Sequence, residues 1–316
     1  MANRLPRLLQ RKIYKTGQTR GADDDVIYQN RVNRNSTVLI PLAFYDACRT
    51  NPVVNGEYEN GFIVLVKPED YFDNVDAQTF MQNNGLALGT NSLLFYETRK
   101  QWNDYNPDNR DLSPATSREN PLGGHYVARV PSTTRSVDEK ISFGFNTSGL
   151  KGAGIRVFEY ASSETIKQCQ EQLEYVFWRC FDAEEVTIVS GMTAEEATER
   201  KAAITELCQR KELAEIEQLQ EARIIDSDGH AICPLCLKKL SANGFLNRLE
   251  QAEGRDVPDL TVTQINLFHI RELRTGEFNH RPYNLGWGHH HCNVVCKDSG
   301  IDDTLNWMRE IIARNQ

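Results

Sequence analysis

Long apolar runs are missing from this sequence, and none approaches the roughly 18 residues that a membrane-spanning helix needs. The basic start, MANRLPRLLQRKIYK, is not followed by the apolar stretch of a secretory signal. Both absences speak against a membrane partner or export, so a cytoplasmic protein is expected. Cysteine, at eight in 316 residues, is too sparse for a disulfide scaffold. Internal repeats and low-complexity tracts are lacking as well, which excludes a solenoid or a disordered array.

A positive charge excess is also lacking, since the formal net charge is −8. Phosphate contact depends on the local field, however, and the charge is uneven. Residues 1–34 carry eight Lys/Arg against three Asp, whereas eight Glu fall between Glu195 and Glu221. The ligand-type residues are uneven too. Six of the seven histidines and four of the eight cysteines lie between His230 and Cys296. Their concentration points to metal in a reducing compartment rather than to cross-links.

The pattern along the chain predicts an α+β protein. Residues 1–35 read as a basic arm in which Arg11, Lys12, Lys15 and Arg20, interleaved with Tyr14, Thr16, Gln18 and Thr19, can track DNA phosphates. As an arm it is not expected in a core. Residues 36–190 read as a β-rich mixed domain, the DNA-recognition domain if the resemblance drawn below holds. TVLIPLAFY, GFIVLVKP, NSLLFYETR, GHYVARVP, KISFGF and GIRVFEYA are its β-branched or aromatic runs, bounded by Gly, Pro, Asn or Asp. Residues 163–181 form an amphipathic helix with Cys169 and Cys180 as small core residues, and VTIVS at 186–190 is a short strand. A connector or dimerisation helix over 191–225 opens on a capping box, Thr193 with Glu196. The remainder, 226–316, closes with a helix that Asp302 or Asp303 can cap and that buries Leu305, Met308 and Ile311/Ile312.

Chemistry concentrates in residues 233–296. Cys233-Pro-Leu-Cys236 has the spacing with which two thiolates grip one side of a tetrahedral zinc ion. A structural site needs two further donors, and His289-x-x-Cys292 supplies them at the same spacing. Cys296 is the competing fourth ligand. His289 is favoured because its three-residue step repeats the first pair.

Together with Leu267-Phe268-His269-Ile270, Asn284-Leu285 and Cys292-Asn293, this spacing resembles the HNH, or ββα-metal, nuclease family. The resemblance covers residues 233–297 and implies a small zinc-stapled nuclease domain. It implies that His269 is the general base and that Asn293 holds a catalytic Mg²⁺. Asn284 would tie the loop to the strand. The sequence departs from the family at Phe268, where Asp or His is usual; Asn266, Glu272, His280 or His290 are the available substitutes, unless a single Asn and water suffice. Arg271, Arg274 and Arg281 flank the site as candidate phosphate clamps. His290 and His291 are weaker candidates for phosphate or metal contact. A dedicated N-terminal domain of this size is similar to those of type II restriction endonucleases, and the stretch 12–41 resembles one that reads an interrupted palindrome. The implied function is Mg²⁺-dependent, site-specific cleavage of double-stranded DNA, leaving 5′-phosphate and 3′-hydroxyl ends, by a homodimer. The alternatives are a non-catalytic zinc-dependent DNA-binding protein and a homing or modification-dependent nuclease.

Overall fold

The computed structural model describes residues 4–14, 33–50, 56–115, 120–130, 142–143, 154–247, 263–297 and 299–316. The chain divides into two units. One comprises Gly17–Ser162 with Thr275–Phe278, and the other Met1–Thr16, Ser163–Arg274 and Asn279–Gln316.

The first unit is built on a mixed sheet. Its strands are β1 (Val38–Pro41), β2 (Phe62–Val66), β3 (Ser92–Tyr96), β4 (Tyr126–Arg129), β5 (Ser142–Phe143) and β6 (Ile155–Arg156), ordered β5-β4-β3-β2-β1-β6. All neighbours run parallel except β5, which is antiparallel to β4. Each of the six apolar runs read from the sequence therefore contributes a strand. The helices between them, α2 (Tyr45–Cys48), α3 (Pro68–Phe72), α4 (Val75–Asn83) and α5 (Arg99–Asp104), were not expected, and they make the unit α+β rather than largely β.

Parallel neighbours in sequential order require crossovers of one hand moving in one direction, which keeps the helices on one face. Phe72, Phe80, Met81 and Trp102 from α3, α4 and α5 accordingly pack with Val64, Val66, Leu94, Tyr96, Tyr126 and Ala128. The alternate residues Leu39, Ile63, Leu65, Leu93, Phe95 and Val127 are buried on the opposite face. Burial on both faces is the reason these strands read as continuous apolar runs.

The second unit carries the cysteine and histidine cluster. It contains α1 (Arg7–Ile13), α6 (Ser163–Phe177), α7 (Ala183–Val189), α8 (Ala194–Arg210), α9 (Ile216–Glu221), β7 (Ile265–His269), β8 (Leu285–His289), α10 (His290–Cys296) and α11 (Ile301–Asn315). The amphipathic α6 is its central helix and packs against α1, α8 and β8. The Glu174 carboxylate, fully buried on α6, receives Arg200 of α8 at 2.7 and 2.6 Å and also the Tyr14 hydroxyl. The Trp287 indole N–H donates to the Leu173 carbonyl at 2.9 Å, tying β8 to the same helix.

Several expectations are corrected here. The N-terminal segment is not wholly outside the core, because Leu5, Leu9 and Ile13 of α1 and its approach are buried in it. By contact, the boundary between units falls after Ser162, not at residue 190. Residues 186–190 are not a strand: Ala183, Val186 and Thr187 of α7 are buried at helical spacing, and that burial overrides β propensity. The helix over 191–225 breaks into α8 and α9, although the Thr193–Glu196 capping box forms as expected. Gly300, with a φ of 77°, is the N-cap of α11 in place of Asp302 or Asp303, and Ile311 and Ile312 are exposed. Among the described residues, no helix is long and apolar enough to cross a membrane.

Candidate metal centre and active site

Residues 224–240 fold back on themselves through bridges of Ile225 with Ala231 and of Ile232 with Lys239. At the turn, the Cys233 N–H donates to the Lys238 carbonyl at 3.0 Å and the Leu237 N–H to the Cys233 carbonyl at 2.8 Å. Leu237 adopts a φ of 57° to close this turn, which points the Cys233 and Cys236 thiols to one side.

The other half of the cluster comes from a junction without a loop. β7 and β8 pair antiparallel, with His269 opposite Leu285 and Ile265 opposite His289. His289 ends β8 and serves as N-cap of α10, so Cys292 follows in the first helical turn. The donor atoms of Cys233, Cys236, His289 and Cys292 all lie within 4.8 Å of one another. Cys236 Sγ is 3.3 Å from His289 Nδ1. At Zn–S bonds of about 2.3 Å, the donors of a tetrahedral zinc stand about 3.8 Å apart, so this donor set fits that ion. Burial, and next the nearby Cys233 and Cys236, push the Cys292 thiol well above its ordinary value, while burial holds His289 toward its neutral, ligating form. Cys296 is outside the cluster, buried and hydrogen-bonded with Thr304 of α11.

The end of β7 meets a closely tied loop. The Ile270 N–H donates to the Asn284 carbonyl at 3.1 Å, and the Arg271 N–H to Asn284 Oδ1 at 2.8 Å. Asn284 Nδ2 donates to the carbonyls of Arg271 at 3.2 Å and Asn279 at 2.7 Å, and Asn279 Nδ2 to the Glu272 carbonyl at 2.8 Å. The buried residue between these anchors, His280, has its Nδ1 3.2 Å from His269 Nε2. His269 itself is half-buried.

Phe268, at the position where the family's second ligand was expected, is fully buried in the apolar core. Of the four substitutes, His280 has its Nδ1 3.2 Å from His269 Nε2. Asn266 and His290 lie 3.2 Å apart from each other, and Glu272 is ion-paired with Arg274. Asn293 is half-buried on α10, which packs on both β7 and β8. Arg271 and Arg281 are exposed, whereas Arg274 is engaged by Glu272 and, at 3.9 Å, by Asp303. His291 is exposed. Arg11 is exposed and Lys12 half-buried on α1; Lys15 and Arg20 lie outside the described residues. Asn279 was missed by the sequence reading and His280 was counted only as a stand-in ligand. The signal was a run of polar residues, Asn279-His280-Arg281, in a loop closed by Pro282 and Asn284.

No curated protein matches the chain. A crystal structure of a type II restriction endonuclease is similar at a TM-score of 0.31 and 15% identity, over 50% of this chain and 58% of that one. The chain thus spans little more than half the length of that enzyme. The family model of the BstXI restriction endonuclease matches residues 11–290, a span that includes His269, His280, Asn284 and three of the four clustered metal donors. This chain therefore belongs to the BstXI restriction endonuclease family.

Proposed function

We propose that this protein is a type II restriction endonuclease that hydrolyses double-stranded DNA at a ββα-metal site. The observation that carries the reading is the junction of β8 and α10: His289 and Cys292 join the four-donor cluster, and the next residue is Asn293. A structural Zn²⁺ on Cys233, Cys236, His289 and Cys292 would staple a hairpin and helix too short to hold their own core, and so fix where Asn293 stands. Asn293 offers a carboxamide oxygen, a hard donor suited to Mg²⁺. That ion, when bound, would stabilise the charge on the scissile phosphate and the leaving 3′ oxygen.

His269 is the general base. Its imidazole takes a proton from the water that attacks phosphorus, a role for which a group titrating near neutral pH is suited. The bond from phosphorus to the 3′ oxygen breaks, leaving a 5′-phosphate and a 3′-hydroxyl. Asn284 holds the loop after β7 against the hairpin through its three side-chain hydrogen bonds. Arg271 and Arg281, both exposed near the end of the hairpin, are the candidates to grip phosphates on either side of the cut, with Arg274 competing against its acidic neighbours. Basic residues of the N-terminal segment, Arg11, Lys12, Lys15 and Arg20, extend that grip. The sheet unit selects the sequence, and two copies of the chain act on a palindromic site, one per strand.

Digestion of unmodified plasmid DNA with Mg²⁺ tests the reading. The wild-type protein is expected to give discrete fragments, and a His269→Ala variant none, with specific DNA binding retained. Cleavage by His269→Ala at the wild-type rate overturns the mechanism. Specific binding by the wild type without any cleavage identifies a zinc-dependent DNA-binding protein instead.

A further inference from the structure

The last helix outruns the core beneath it. Ile301 and Thr304 of α11 are buried and Leu305 and Met308 pack against the same core, but every residue from Arg309 onward is exposed. Trp307, Ile311 and Ile312 are left 54%, 37% and 56% exposed. At about 100° per residue these three fall on one arc of the helix, which Arg314 borders on one side and Arg309 on the other. The Arg309 guanidinium donates to Asn306 Oδ1 at 2.6 Å and that of Arg314 meets Glu310 at 3.0 Å, surface contacts of a kind that a partner's carboxylates replace at little cost. An apolar helix end with basic edges has the form of a segment that lies in a groove.

The same unit carries a groove of matching character. A cleft of about 610 Å³ beside α7 is lined by the buried Trp178 and by Phe181, Ile188 and Val189, which are 61%, 40% and 83% exposed. Asp182, Glu184 and Glu185 line it against a single cation, Lys201, which pairs with Glu184 at 2.5 Å, so its edge is acidic where that of α11 is basic. The two patches hold six of the twelve large apolar side chains left exposed among the described residues, a concentration that marks contact surface rather than scatter. Resting on the reading of the protein as a two-copy enzyme, we infer that the end of α11 lies in the α7 groove of a second copy, which returns the contact with its own α11. Trp307, Ile311 and Ile312 then cover Phe181, Ile188 and Val189, and the two arginines face the partner's Glu184 and Glu185. A second copy is the fitting occupant because one chain bears both halves of the contact, and a twofold axis closes the exchange at two contacts instead of extending it into a filament. One helix end in one groove is small against the roughly 800 Å² per partner of a stable interface, and the reciprocal contact doubles it.

Sedimentation velocity of the full-length protein without DNA tests the contact. The wild type is expected to dimerise as its concentration rises. Ile312→Glu on α11 and Val189→Glu in the groove both change exposed side chains, and equal melting temperatures for the three proteins check that the variants fold. Each variant is expected to raise the dimer dissociation constant by roughly 100-fold or more, because a substitution in a twofold interface acts twice. An equimolar mixture of the two variants is expected to regain dimers, since the α11 of Val189→Glu and the groove of Ile312→Glu are intact and restore one of the two contacts. A wild type that stays monomeric overturns the inference, and with it the two-copy reading. Undiminished dimers in either variant, or a mixture that stays monomeric, overturn the inference alone: two α11 helices paired with each other, for example, would leave Val189→Glu dimeric. Loss of DNA binding by Ile312→Glu with its dimer intact would make the end of α11 a nucleic-acid contact and overturns it too. The proposed chemistry fails separately: His269→Ala would then cut normally whatever the oligomeric state proves to be.

Discussion

Replacing Asn284 with Ala deletes a side chain that satisfies three backbone groups at once. The Arg271 N–H loses its acceptor at 2.8 Å, and the carbonyls of Arg271 and Asn279 lose donors at 3.2 and 2.7 Å. An unmade hydrogen bond in a buried setting costs about 1–3 kcal/mol. Arg271 is exposed, so water can reach part of its backbone, and the low end is appropriate for each bond. Three such losses come to roughly 3 kcal/mol, or about 100-fold in the local opening equilibrium. The assay is amide exchange, followed at Arg271 and across residues 265–285. Protection of the Arg271 amide is expected to fall by about that factor, with DNA cleavage falling alongside because the loop is no longer held to the end of β7. Asn284→Asp separates the three bonds. It keeps an acceptor for the Arg271 N–H but sets a carboxylate against two carbonyl oxygens, so it is expected to do no better than Ala. Wild-type exchange at Arg271 in the Ala variant, or full recovery in the Asp variant, would refute the account of what this residue holds.

Three further outcomes follow from the same geometry. Metal analysis should find about one tightly held zinc per chain, lost in Cys233→Ser and Cys292→Ser but kept in Cys296→Ser, whose thiol is outside the cluster; zinc loss in Cys296→Ser would reassign the fourth ligand. Gly288→Ala should lower stability by roughly 1–3 kcal/mol, since its Cβ would stand 2.5 Å from Cδ2 of the fully buried Phe268 ring; an unchanged melting temperature would show that the ring can move. The Asp226 carboxyl is held below its ordinary range: burial opposes this, but the His230 amide, Lys239 and the Asp228 amide outweigh it. A depressed folded-state value means that its stabilisation is complete above the unfolded value of about 3.9 and is lost as pH falls through the lower folded one. Amides of residues 224–240 should therefore lose protection in acid below pH about 4, and Asp226→Asn should remove that dependence; an identical acid profile in the variant contradicts it.

What the sequence determined by itself was whatever depends on neighbours within a few residues. Six strands were legible because each is a short apolar run with turn residues at its ends. The Thr193–Glu196 capping box is a relation between positions three apart. The two donor pairs, Cys233 with Cys236 and His289 with Cys292, were legible for the same reason, and the structure brings them together. The short helices α3, α4 and α5 escaped because their apolar residues match no helical stripe until the sheet supplies a surface for them. Residues 186–189 carry strand-type side chains, yet burial of Val186 and Thr187 at helical spacing decides for α7. Leu5, Leu9 and Ile13 lie in a basic segment, and only their packing with helices more than 150 residues away makes them core. Tertiary structure alone decided that His280 stands beside His269. The sequence offered Asn266, Glu272, His280 and His290 as stand-ins for the ligand missing at Phe268, all within reach along the chain. His280 comes to His269 through a loop that the hydrogen bonds of Asn279 and Asn284 fold back on the end of β7, and no local spacing encodes that return.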